Sequence, residues 1–518
     1  MSETRIITLV VFGVLVIGMF GIIGWAARRT HSASDFFTAG RSISGFQNGL
    51  AIAGDFMSAG TFLGTTGLIY LYGFDGTLIL VAAIFSFLPL LFLLAERLRN
   101  GGAFTLAEVL SLRFPDPTVR AVTAASSLVV SLLYLFAQLV GAGILLQALS
   151  GLSFSTAVII TGGLMTVYVA FGGMLGATWV MIIKAIILLF VGVIMSAAIL
   201  SHTGWSFAAL VRDASAVHPK GLEYAAPGLL LPSVHPVDIL SYGLVYMLGT
   251  AGLPHVLIRF FTVKDGTAAR RSLGWAMGAM GLFFLMVVIL GLGARLLLTG
   301  DAATLASGVG GNLVAPVLAG VLGGGLETPF GAICIALIAG VSFLTILAVV
   351  SGLLISASGA VAHDIFAGVF WRGQANIEKR EPTVARLSAV VVGILATAAS
   401  IAIGSGFNVT FLLGLAFLVA ASANLPVLLC ALFWRKFNRS GAILGLSGGV
   451  LVSLALIIAS PIVLGAQAYL SLKYPAIISI PLGFAFCWLG SILGESKSGN
   501  FDELLVRTEL GTFASAKP

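Results

Sequence analysis

Gly45-Phe46-Gln47-Asn48-Gly49-Leu50-Ala51-Ile52-Ala53-Gly54-Asp55-Phe56-Met57-Ser58-Ala59-Gly60-Thr61-Phe62-Leu63-Gly64 decides how the rest of the chain is read. The stretch is long and apolar enough to cross a bilayer, yet it carries a carboxylate at its centre and glycines on both sides. A charge at mid-membrane costs roughly 3 kcal/mol even on lenient insertion scales, so Asp55 calls for a partner, a proton or a functional reason. The small residues beside it would let the helix loosen and offer main-chain carbonyls to an ion. The plain alternative is a packing helix with one protonated aspartate.

The surroundings fit a membrane. Of 518 residues, 59% are hydrophobic and only 9% charged, and the mean hydropathy is +1.10. A soluble core of this length does not get by on so few charges, so the chain reads as an all-α polytopic membrane protein. The net charge of +7 does not argue for nucleic acid, because the lysines and arginines fall in short loops between apolar runs. Cys334, Cys430 and Cys487 sit far apart in apolar stretches and suit buried residues better than disulfides or metal ligands. Met1 to Arg5 is too short and mixed for a secretory leader, so the run after it reads as a retained first span.

Apolar runs of about 20 residues give thirteen candidate helices, near 6–27, 45–71, 77–95, 121–149, 154–174, 177–200, 238–260, 273–298, 330–360, 384–404, 407–433, 441–465 and 475–493. Alternate loops are basic: Arg28, Arg29 and Arg41; Arg97, Arg99, Arg113 and Arg120; Arg259, Lys264, Arg270 and Arg271; Arg372, Lys379, Arg380 and Arg386; Arg435, Lys436 and Arg439. The opposite loops hold only Arg5, Arg212, Lys220, Arg295 and Lys473. The positive-inside rule then places the N-terminus outside and the C-terminus in the cytoplasm of a cell membrane, a bacterial inner membrane for preference. Two outside segments are long, 201–237 with His202, His218 and His235, and the Gly-rich 299–329. The histidines have no metal-like spacing. Gly308-Val309-Gly310-Gly311 lacks the lysine and the strand of a phosphate loop. No nucleophile motif supports an enzyme.

The residues that carry chemistry lie inside the spans. Lys184 sits roughly two turns from the cytoplasmic end of its helix. It either snorkels to that face or turns inward to pair with Asp55 or to attract an anion. Tyr134 and Gln138 share a helix face and either line a wet cavity or glue two helices together. Residues 238–260 contain Gly249, Gly252 and Pro254, the weak centre of a discontinuous transporter helix or a Pro-kinked packing helix. The 330–360 run carries Ser342, Thr345, Ser351, Ser356 and Ser358. Their oxygens suit a hard monovalent cation, with back-bonding to their own helix as the competitor.

Residues 45–64, Ala95-Glu96-Arg97-Leu98-Arg99-Asn100, Gly172-Gly173-Met174-Leu175-Gly176-Ala177-Thr178-Trp179, Gly252-Leu253-Pro254-His255-Val256-Leu257-Ile258-Arg259-Phe260 and Ala360-Val361-Ala362-His363-Asp364-Ile365-Phe366 resemble the sodium:solute symporter family. Within it they are most similar to the cation/acetate symporters, or acetate permeases. The resemblance spans about 35–440. It implies one transporter domain with an inverted five-plus-five (LeuT-type) core, one extra N-terminal helix (6–27) and two extra C-terminal ones (441–493). The repeats would be 45–200 and 238–433, with a cytoplasmic tail from 494.

The same resemblance implies a sodium site between the carbonyls of Gly54 and Met57 and the 330–360 helix, where the matching positions are Thr345, Ala348 and Val349. The family's two hydroxyls after the alanine are displaced here to Thr345 and Ser351. Where many members have an aspartate and a glutamine after the tryptophan of the sixth span, this chain has Met181 and Lys184. That removes one ligand of a second sodium and brings a fixed charge toward Asp55. The implied substrate positions are Gln47, Asp55, Ser58, Tyr134, Gln138, Tyr246, Thr250 and Phe417. A small monocarboxylate needs donors for its oxygens and an apolar wall, for which Tyr246, Thr250 and Lys184 could donate and Phe417 and Leu248 could wall. The implied activity is import of acetate or a related acid (propionate, pyruvate, glycolate) with Na+, and no other cofactor. Proton coupling, or Na+ symport of proline or pantothenate on the same fold, are the alternatives.

Overall fold

A computed structural model describes residues 3–27, 42–102, 105–230, 236–371, 377–494 and 499–510. Arg28, Arg29, Arg41, His235 and Arg372 lie outside the described residues. The described chain is helical, with one isolated parallel bridge between Ile43 and Val263 and no strand among those residues.

The opening stretch is two helices, and its sequence shows why. Ser44 accepts from the Gln47 amide while the Gln47 side chain accepts from the Ser44 amide, a reciprocal cap that starts the Gly45–Phe56 helix. The helix stops at Met57, whose ψ of 63° leaves the helical region. Thr61 then takes over bonds the helix has lost: its hydroxyl accepts from the Ser58 amide at 3.0 Å and donates to the Phe56 carbonyl. A π-turn, Gly60–Gly64, leads into Thr65–Tyr72. At Gly54 a Cβ would stand 2.7 Å from the Met181 carbonyl oxygen, so only glycine lets this helix lie directly on the Lys184 helix. Gly54→Ala is therefore expected to lower stability by about 1–3 kcal/mol through forced backbone separation. Thermal melts in detergent measure it, and an unchanged midpoint would show that the contact is not tight.

The counterpart breaks for a different reason. The Pro236–Gly249 helix tightens into Thr250–Gly252, passes through extended Leu253 and restarts at Pro254. The two parts meet at 47°. Pro254 has no N–H to continue the ladder and disfavours helical geometry at Leu253. The freed Gly252 carbonyl accepts from Asn424 Nδ2 at 2.8 Å. A Cβ at Gly252 would fall 2.3 Å from the Ala420 carbonyl oxygen, so the break sits against that segment with no room for a side chain.

Among the described residues nine helices are long and apolar enough to span a bilayer, and the bent pair 237–262 makes a tenth. The nine unbroken helices match nine of the thirteen expected runs. The other four are the broken 45–71, the bent 238–260, and 6–27 and 154–174, whose described apolar helices are Ile6–Gly18 and Phe154–Val167. The backbone remains helical from Phe154 to His202, through the Gly172–Gly176 stretch that the sequence marks as a turn between two spans. Membrane helices tolerate glycines that would end a soluble helix. The expected outer loops also hold structure: Phe207–Val217, Gly300–Ser307 and Val314–Leu322 are helices, and His218 stacks on Tyr224.

Three arginines counted above as loop charges are buried instead. Arg99 donates to the Val263 and Lys264 carbonyls, and Arg259 belongs to the site described below. Arg113, 0% exposed, donates to the carbonyls of Cys430, Ala431, Trp434, Arg435 and Phe437. It caps the C-terminal end of the Leu425–Phe433 helix, where the last carbonyls have no partner of their own. Burial pushes its guanidinium down to about 10, still cationic at neutral pH.

Candidate functional site

The two breaks are joined by a layer of buried charge. Arg259, in the segment that follows the second break, places Nε 2.8 Å from Asp55 Oδ2, with both side chains no more than 2% exposed. Its Nη1 donates to Thr178 Oγ1 at 2.9 Å, and Nη2 lies on the Met181 sulfur. A planar fork with fixed donors suits this three-way arrangement, which a lysine could not reproduce. Gly352 closes the other side: a Cβ there would be 3.5 Å from Arg259 Nη2 and 3.8 Å from Asp55 Oδ1.

This corrects the expected charge balance. Lys184 is not the bonded partner of Asp55; that place belongs to Arg259. Nor does Lys184 snorkel: it is 1% exposed, and Nζ donates to the Thr345 carbonyl at 3.1 Å and the Met57 carbonyl at 3.5 Å.

Of the expected cation site, only Met57 and Thr345 meet that ammonium, through their carbonyls. Thr345 Oγ1 is buried without a hydrogen-bond partner. Ser351 Oγ donates back to the Ala348 carbonyl at 2.6 Å, the local competitor foreseen for it. Gly54 is held against Met181 as described.

At the Met57–Ala59 break, lined by Phe56 and Ser58 from either side of Met57, lies a small chamber of about 20 Å³. Four of the expected substrate residues line it: Ser58, Tyr134, Tyr246 and Phe417. Tyr134 stacks on Phe417 at 5.9 Å, and Phe417 meets Tyr246 at 5.3 Å. Tyr246 donates its hydroxyl to the Thr410 carbonyl at 2.7 Å, and Thr410 Oγ1 donates to the Gly60 carbonyl at 2.7 Å. Those two bonds tie the second broken helix, the Val409–Val419 helix and the π-turn together.

The other expected substrate positions lie elsewhere. Gln47 is spent in the helix cap, with its side chain turned to the cap backbone. Thr250 bonds back to the Tyr246 carbonyl. Gln138 is fully buried with neither amide atom bonded, and it does not line the chamber.

Sequence reasoning missed Arg259, Thr178, Thr410 and His255. His255 is 1% exposed with both ring nitrogens unbonded, and it meets the Tyr134 ring edge-on at 4.8 Å. The available signal was the run Gly252–Phe260 itself, in which a histidine and an arginine sit among residues that are all apolar.

Two broken helices linked by a buried ion pair, with a small chamber at the first break, have the build of a secondary transporter of the inverted-repeat class. The comparisons agree. A sodium-coupled sialic acid symporter in a substrate-bound outward-open state superposes with a TM-score of 0.74 at 17% identity, over 95% of this chain and 98% of that one. Mhp1, a nucleobase-cation-symport-1 family transporter in a closed conformation with bromovinylhydantoin bound, gives 0.55 at 14%, over 92% and 100%. The sodium:solute symporter family pattern matches residues 36–449, and the chain belongs to that family.

Proposed function

We propose that the chain imports acetate or a related short-chain monocarboxylate of the propionate, pyruvate or glycolate class by cation-coupled symport. The observation that carries this reading is the charge beside the chamber. Asp55 and Arg259 cancel one another, so a protonated Lys184 leaves one net positive charge in a buried layer. A buried cation without its own counter-ion is costly, and one monoanion in the chamber would offset it. The chamber's wall suits a short acid: hydroxyls of Ser58 and Tyr134 can donate to a carboxylate, while Phe56 and Phe417 face an apolar tail.

Sodium is the coupling ion that the family supports, with Gly54, Met57, Thr345, Ala348 and Ser351 as its place. Proton coupling is the second reading, favoured by the position of Lys184 on two of those carbonyls. The repeats, taken as 45–200 and 238–433, would then rock about the chamber, with the N-terminus outside and the C-terminus in the cytoplasm.

Uptake of labelled acetate into proteoliposomes under imposed sodium, proton and voltage gradients tests the reading. Accumulation blocked by unlabelled propionate or pyruvate is the expected result. Accumulation blocked by proline or pantothenate but not by short acids would overturn the substrate. Phe417→Ala should widen the wall and raise the preference for butyrate over acetate, at ~0.8 kcal/mol per buried CH2. An unchanged ratio of kcat/KM would remove Phe417 from the wall.

A further inference from the structure

The Pro117–Ser150 helix carries a line of polar side chains. Ser127, Ser131, Tyr134 and Gln138 follow one another at steps of four, three and four residues, which keeps them on one face. All four are buried. Among the described residues, Ser131 Oγ and both amide atoms of Gln138 have no hydrogen-bond partner. A face that served packing alone would not carry such groups, because a buried donor left unpaired is costly.

Two cavities meet this line. The chamber at the first break meets it at Tyr134. A second cavity, of about 10 Å³, meets it at Ser127 and is also lined by Thr105, Pro254, Ser356 and Asp364. Roughly 10 Å of helix separates Ser127 from Tyr134, and Ser131 lies between them. His255 covers the same interval from the Pro254–Leu257 segment, which packs on Pro117–Ser150. It follows Pro254, a wall of the second cavity, and its ring meets Tyr134, a wall of the first. Both of its ring nitrogens are unbonded among the described residues. Beyond the second cavity the protein reaches solvent: Asp364 accepts from Arg120 Nε at 3.2 Å, and the Arg120 side chain is 20% exposed.

Resting on the reading of the Tyr134 chamber as a monocarboxylate site, we propose that Ser131 and His255 form a second station for the carboxylate, on the cytoplasmic side of that chamber. A hydroxyl and an imidazole N–H both donate to a carboxylate and need no fixed charge to do so. The anion passes from Ser58 and Tyr134 to Ser131 and His255, and then to the Ser127 cavity and the Arg120 end of the helix. Without donors over that interval it would cross as a desolvated charge, which is the costly form of burial. Donors set one turn apart remove that barrier.

Two arms test the station. The first needs no substrate: with Cys334, Cys430 and Cys487 replaced by alanine, Ser131→Cys is treated with a sulfonated, membrane-impermeant methanethiosulfonate in inside-out vesicles. Labelling is expected, while Val140→Cys, equally buried on the opposite face, should stay unlabelled. The second arm measures uptake of labelled acetate into proteoliposomes by variants whose melting temperatures show them folded. His255→Phe keeps a ring against Tyr134 but has no donor. Its kcat should fall about tenfold or more, the loss of one hydrogen bond to a charged group. KM should be unchanged or lower, because the step affected follows binding. His255→Gln keeps a donor and should recover most of the loss. An unlabelled Ser131→Cys, or equal labelling of Val140→Cys, overturns the station whatever solute is carried. So does a His255→Phe as fast as the natural chain, or a His255→Gln no faster than His255→Phe. A natural chain that accumulates no short acid overturns the acetate reading instead, and the labelling arm then decides the station on its own.

Discussion

Asp55→Ala is expected to cost about 3–5 kcal/mol of stability, because it strands Arg259 as a buried cation in a site built for a pair. Arg259→Met should cost a similar amount by stranding Asp55. Arg259→Lys should behave more like Arg259→Met than like the natural chain, since a lysine cannot reach Asp55, Thr178 and Met181 together. The informative variant is the double one, Asp55→Leu with Arg259→Met. It removes both charges and fills their space with apolar volume, and it should melt closer to the natural protein than either single variant. A coupling of about 2 kcal/mol or more in that double-mutant cycle is the expected outcome. Simple additivity of the two single losses would show that the pair does not hold the two broken helices together.

Arg113→Ala is expected to lose about 4 kcal/mol. Five carbonyls share this one side chain, and each buried acceptor left without a donor costs ~1–3 kcal/mol, less where water reaches it. Arg113→Lys keeps the charge but offers a single donor point, so it should recover less than half of the loss. Cys430, whose carbonyl is one of the five, gives an independent readout. Its half-buried thiol should react with a maleimide much faster in Arg113→Ala as the end of the Leu425–Phe433 helix frays. A loss under about 0.5 kcal/mol with unchanged labelling would mean that the carbonyls are satisfied without the arginine.

The class of fold was legible because it rests on run length and on helix-breaking residues, both local properties of the chain. Gly54, Gly60, Gly252 and Pro254 mark the breaks, and the structure breaks at Met57–Ala59 and at Leu253. The charge layer was not legible, because its members come from distant segments and look ordinary in their own. Arg259 lies 204 positions from Asp55 and sits where the positive-inside count assigns a cytoplasmic loop charge. Arg113 was miscounted for the same reason. Hydropathy sees a cation near a span end and has no means of telling a solvated side chain from one folded back onto carbonyls.

Gln47 failed in the opposite direction. The Ser44-x-x-Gln47 spacing is a cap signature, and the family position outweighed it. Lys184 stands between these cases. Its inward course was one of two readings, but Asp55 was expected to be its partner and backbone carbonyls are what it meets.

The size of the chamber between Tyr134 and Phe417 carries a consequence for any measurement of affinity. At about 20 Å³ it has space for roughly one water molecule, so the conformer described here cannot be the one that accepts solute. Binding draws on a more open conformer, and where that conformer holds only a fraction of the population the observed Kd is the intrinsic Kd divided by that fraction. If about one molecule in a hundred is open, a titration of the whole population reports an affinity about a hundredfold too weak. Substitutions that favour the open form would sharpen binding without touching the ligand. For a carrier of this kind, a tighter Kd is as much a statement about doors as about locks.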